Sequence, residues 1–134
     1  MIWPFTRRKR VAPQYVTKEG VRLTYDMGQN LWCFEHQGVS YWFFGATFHE
    51  SLLQAPAEIL PIIERHQREI REVIVKHLGG SYEDRRSEEI VSIDLTDYRD
   101  RQQFDVGYAA ENWGDLGINV IFERERIVDD WSGD

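Results

Sequence analysis

At 134 residues, with 42% hydrophobic and 13% aromatic side chains, the chain is long enough for one domain with its own core. Its one cysteine, Cys33, excludes an internal disulfide, and no apolar run approaches the roughly 18 residues that cross a bilayer. The net charge of −7 is uneven: residues 7–10 (RRKR) carry +4, residues 11–80 hold eight acids and six bases, and residues 81–134 hold fifteen acids and six bases.

So acidic a body repels phosphate backbones and attracts basic molecules, which argues against nucleic acid as a partner. The lone thiol suits a reducing compartment, and "MIWPF" is too short for the apolar region of a secretory signal. The expected setting is cytoplasmic, and a compact bacterial-type domain is the working assumption.

Residues 1–13 read as a basic, disordered tail, with two prolines, a charge block and no period. A weak membrane-surface contact through residues 1–10 is a second reading, with Ile2, Trp3 and Phe5 at the lipid and the four cations on anionic headgroups. A third is docking of the tail onto the acidic body. Residues 14–134 form a single α+β domain.

From Tyr15 the pattern is β. Two short runs surround Lys18-Glu19-Gly20, and Val21, Leu23 and Tyr25 alternate with Arg22, Thr24 and Asp26, as in a half-buried strand. "LWCFEH" and "VSYWFF" form a hairpin through Gln37-Gly38, where glycine supplies the positive φ of a tight turn. Both strands are bulky and apolar on both faces, which predicts a central position or a cover on the second face.

Ile59, Ile63, His66, Ile70, Val73 and His77 recur at helical spacing, against a charged face of Glu64, Arg65, Arg68, Glu69, Glu72 and Lys76. Pro61 suits a first turn, so the helix is expected to start near Leu60 and to end at Gly79-Gly80. Past the charged loop "SYEDRRSEE", strands resume: Val91, Ile93 and Leu95, then "FDVGYAAE", then "INVIFE" joined to "RIVDDW" across Arg124-Glu125. The expected architecture is a mainly antiparallel sheet from two meanders, residues 15–45 and 90–131. These flank one long amphipathic helix, residues 60–78, packed on one face.

Motif by motif, the chemistry thins out. His49-Glu50 opens the H-E-x-x-H metalloprotease pattern, but Leu53 stands where the second histidine belongs. His66 and His77 are eleven residues apart, about 16 Å along a helix, too far to share one ion. Cys33 lies inside an apolar strand, where burial disfavours a thiolate. Gly79-Gly80-Ser81 follows a helix, where the dipole has the wrong sign for phosphate. No cofactor, metal site or catalytic residue is assigned.

What remains is acid with interleaved tryptophan. The candidate binding residues are Asp94, Asp97, Asp100, Trp113, Asp129, Asp130 and Trp131. Carboxylates supply steering charge and tryptophans supply anchors, the combination that favours a basic protein partner. In size, charge and layout the chain is similar to bacterial toxin-immunity proteins, although no motif carries that likeness. The reading is therefore a non-catalytic protein-binding domain, leaning away from an enzyme. The alternatives are a small carboxylate- or metal-dependent hydrolase using the C-terminal acids, and a purely structural or assembly role. Oligomeric state is left open.

Overall fold

The computed structural model describes residues 14–17, 20–79 and 88–133. The basic tail, Lys18-Glu19, Gly80 with most of the charged loop after it, and Asp134 lie outside the described residues. The fold is mixed α+β. Eight strands form one sheet in chain order: β1 (Gln14–Val16), β2 (Arg22–Asp26), β3 (Leu31–His36), β4 (Val39–Phe44), β5 (Glu89–Asp94), β6 (Gln103–Ala109), β7 (Gly117–Glu123) and β8 (Arg126–Gly133).

Each strand pairs antiparallel with the next, except that β4 and β5 run parallel in the middle. A parallel step needs a long crossover, and the helical segment between residues 44 and 89 provides it. The two strand groups are thus halves of a single sheet rather than separate meanders. "YWFFG" opens on the strand that joins them, with β3 on one side and β5 on the other.

The single helix expected over 60–78 is in fact two, α1 (Ala55–Arg65) and α2 (Gln67–Leu78), preceded by a 3-10 turn over Glu50–Gln54. The break falls at His66, whose φ of −110° and ψ of 21° leave the helical region. Side chains compete for the carbonyls there: His66 Nδ1 bonds the Ile62 carbonyl at 2.7 Å, and Gln67 Nε2 donates to that of Ile63 at 3.1 Å. The start also comes earlier than expected, because Pro56 occupies the first turn and Pro61 lies inside α1. Pro61 and Ala57, its would-be partner four residues back, are both exposed, so water can take the freed carbonyl.

Ile59, Ile63, Ile70 and Ile74 are at most 3% exposed and bury the helical stripe on one face of the sheet. Strand alternation supplies the other half of that core: Leu23, Phe34, Tyr41, Phe43, Ile93, Val106, Ile118, Val120 and Phe122. Phe104 and Phe122 stack at 4.9 Å, and the His66 ring meets Phe122 edge-on at 5.5 Å. Phe48 packs on Trp32 at 5.5 Å and Leu52 is buried, so the link after "YWFFG" is pinned to the core.

The helix–sheet seam is tied by charge at both ends. Arg65 reaches Glu125 at 2.5 Å in the β7–β8 turn, while Lys76 and His77 both bond Asp130 on β8, at 2.8 and 2.7 Å to its Oδ1. Gln37 and Gly38 have φ of 52° and 80°, the two positive values of a type I′ turn. Arg124 takes the same left-handed region with φ of 60°, so the unpromising Arg124-Glu125 sequence does form the β7–β8 hairpin.

Candidate binding face

Alternation sends every second residue to the face that α1 and α2 do not cover, and no described element lies over it. Register lines up one row straight across: Thr24, Cys33, Trp42, Asp94, Asp105, Ile121 and Asp129, from β2 to β8. The next row is Ser40, Ser92, Gly107, Asn119 and Trp131. Polar and aromatic side chains are therefore adjacent in space although they are far apart in sequence.

Asp105 organises the acidic half. Its Oδ1 accepts from Asn119 Nδ2 at 2.8 Å and its Oδ2 accepts from Trp131 Nε1 at 3.0 Å. Trp131 sits on β8, so this bond lays the indole across β7 toward β6, with 48% of the residue still exposed. Gly107 makes room beneath: a Cβ there would meet Ser92 Oγ at 2.9 Å and Asn119 Nδ2 at 3.4 Å. The row stays flat because this position has no side chain.

Asp94 is the register partner of Asp105 and lies partly buried on β5. Its Oδ1 accepts the Thr96 N–H at 2.8 Å, closing the turn that leaves the strand. Burial raises its pKa above the ordinary carboxylate value, and the nearby charges of Asp105 and Asp97 push the same way, partly offset by the Thr96 bonds. Beside it, Trp42 and Phe44 meet edge-to-face at 5.1 Å, and Phe44 is half exposed. Their apolar second face is what the strand composition foretold, but the helices cover Tyr41 and Phe43 instead.

The candidates chosen from sequence separate into groups. Asp94, Asp129 and Trp131 share the uncovered face, and Asp97 stands at its edge, close enough to act on Asp94. Asp100 is exposed on the short helix α3 (Tyr98–Arg101). Trp113 is on the helix side, where it packs against the core edge and lines a depression of 350 Å³ with His77, Leu78, Asn112 and Leu116. Asp130 also faces the helices, and Lys76 and His77 hold its pKa below the ordinary value; the Lys76 bond is the larger cause.

Sequence reasoning assigned Asp105 to a loop and gave no role to Asn119, Trp42 or Ser92. Asp105 is in β6, and its parity in "FDVGYAAE" already put it opposite Phe104 and Val106. Only the register between strands shows that it meets Trp131.

Two other depressions, 350 and 260 Å³, adjoin at Glu58, Tyr98 and Gln102 on the helix side. Tyr98 donates to Glu58 Oε1 there at 2.6 Å, and burial together with that carboxylate raises the phenol's pKa. Arg22, Thr24, Cys33, Glu35 and Ser40 line a recess of 280 Å³ at the far corner of the uncovered face. Among the described residues no three His, Cys, Asp or Glu side chains are placed to hold a metal ion. No helix of the described residues is long and apolar enough to cross a membrane. No protein-family model, curated protein or solved structure matches this chain.

Proposed function

We propose that the chain is a non-catalytic binding domain whose uncovered sheet face receives a basic protein. One observation carries this reading. Asp105 fixes Trp131 flat beside the Asp94–Asp105–Asp129 row, which gives a preorganised aromatic anchor within an acidic field. A side chain already held in its bound geometry costs little ordering entropy on association. The flanking carboxylates steer a cationic partner and the indole supplies desolvated contact. A small basic enzyme neutralised one-to-one, as in toxin–immunity pairs, is the class of partner that suits this charge layout.

The carboxylates support this role better than hydrolysis. Both oxygens of Asp105 are engaged in hydrogen bonds, and Asp94 closes its own turn. A general acid or base needs a free oxygen within reach of a substrate proton.

The test is retention of cationic proteins from the native lysate by the purified chain, at low salt and at about 0.5 M salt, where screening shortens charge interactions to a few ångström. Cross-linking then maps the contact. The Trp131→Ala variant should weaken retention about 30-fold, the scale of a hot-spot loss near 2 kcal/mol. Asp94→Asn with Asp129→Asn should slow association, while Trp113→Ala on the helix side should leave it unchanged. Retention that ignores Trp131 and follows Trp113, or no specific retention at all, would sink the reading.

A further inference from the structure

The uncovered face has a candidate occupant within the chain itself, the basic segment before β1. Gln14, the first residue of β1, pairs with Thr24, and the row through Thr24 runs on to Cys33, Trp42, Asp94 and Asp105. β1 is antiparallel to β2, so the chain before Gln14 leaves the sheet at the end where Asp26 pairs with Leu31, Leu31 with Phe44, and Asp97 follows β5. Residues 1–13 thus join the sheet at its acidic end.

Length and charge then agree. Arg10 and Arg7 precede Gln14 by four and seven residues, so an extended segment carries them about 14 and 24 Å from it at roughly 3.4 Å per residue. Strands lie about 4.8 Å apart, which puts β4, β5 and β6 about 14, 19 and 24 Å from β1. The +4 run therefore spans the strands that carry Trp42, Phe44, Asp94 and Asp105. At the same rise Phe5 and Trp3, nine and eleven residues before Gln14, come about 31 and 37 Å along, near β7 and β8 and the half-exposed Trp131.

We infer that residues 3–10 of this chain dock in cis across the uncovered sheet face, with Arg7–Arg10 over the Asp94–Asp105 row and Trp3 and Phe5 toward Trp131. Tethering supplies an effective concentration on the order of millimolar, enough to populate contacts that would be weak between separate molecules. The segment then acts as a built-in competitor that a basic partner must displace. This inference rests on the reading of the face as a receiver of cationic chain.

The test uses the full chain with Cys33→Ser and Thr6→Cys, a nitroxide on the new thiol, and the indole N–H resonances of Trp131 and Trp42 as reporters. At low salt the label should broaden Trp131 and Trp42 several-fold more than the amide of Val75, which is exposed on the helix side. The broadening should vanish at about 0.5 M salt, where the Debye length falls to a few ångström. It should also vanish when Arg7, Arg8, Lys9 and Arg10 are all replaced by glutamine.

Equal broadening of Trp131 and Val75 at low salt would overturn the proposal. So would broadening seen only when labelled chains are mixed with unlabelled isotope-enriched copies, since the occupant would then be the segment of a second copy. If the label reports docking but the charge-neutral full chain retains no cationic protein, the binding function fails and this inference stands. If that chain retains a partner and the label reports nothing, the outcome is reversed.

Discussion

The two faces of the sheet are built from alternate residues of the same strands, yet different physics holds each. On the covered face Leu23, Tyr41, Ile93, Val106, Val120 and Phe122 are essentially inaccessible, and dispersion and hydrophobic burial against α1 and α2 order them. Tyr41 shows the cost of polarity there: its hydroxyl has no hydrogen-bond partner among the described residues, and burial pushes its pKa up to about 12. On the other face Asp94, Asp105, Asn119 and Trp131 stay in contact with water and are ordered by directional hydrogen bonds. The difference teaches that one sheet can separate stability from recognition strand by strand, at single-residue resolution.

The most severe way to break the comparison is in the core. Phe122 is fully buried, stacked on Phe104 and capped by His66. Phe122→Ala should cost about 3–5 kcal/mol, a large share of the roughly 5–15 kcal/mol available to a domain. Urea denaturation would show a much lower midpoint. Trp131→Ala on the opposite face should cost only about 1–2 kcal/mol, from one hydrogen bond and a half-buried ring, because water can replace the indole at Asp105. If the two losses are equal, the faces are not energetically distinct.

Much of this division was legible in the sequence, and the illegible part has a definite cause. Period-two alternation in "VRLTYD", "FDVGYAAE" and "INVIFE" marks which residues share a face, and helical spacing marks Ile59, Ile63, Ile70 and Ile74. Neither period carries register. That Asp105 stands beside Asp94 and under Trp131 follows from pairings between segments up to 37 residues apart, which no local pattern encodes. The break at His66 was hidden for the opposite reason. The apolar spacing continues through it, and the competing His66 and Gln67 side-chain bonds leave no mark in hydropathy. Asp130 and Trp113 drew attention as an acid and an aromatic, but parity and packing commit them to the helix side.

Smaller perturbations sharpen the comparison through pH. Asp130 faces the helices and is held below its ordinary pKa of 3.8 by Lys76 and His77. Its contribution is therefore present above pH 3.8 and fades as the pH falls through the lower folded value. Asp130→Asn should cost about 0.5–1 kcal/mol at neutral pH, the range of partly exposed ion pairs, and almost nothing in acid. Parallel urea titrations at neutral and acid pH would show it, and a penalty that persists in acid would mean that packing, not charge, was lost.

Asp94 should respond with the opposite sign and the smallest amplitude. Burial and the charges of Asp105 and Asp97 raise its pKa above 3.8, so the folded state holds its proton more tightly than the unfolded chain does. Its stabilising contribution is complete below pH 3.8 and is lost as the pH rises through the raised folded value. Above that point an ionised Asp94 faces Asp105 as a like-charged cross-strand pair, a placement that costs roughly 0.2–1 kcal/mol. Solvent screening of these partly exposed groups sets the expectation at the low end of that range. Asp94→Asn keeps an oxygen to accept the Thr96 N–H and removes the charge, so the variant should be slightly more stable than the wild type at neutral pH. The gain should shrink toward acid, where the aspartate is already protonated. A domain selected only for stability would gain from that change, so a carboxylate kept here at a cost is what a face built to attract cations requires.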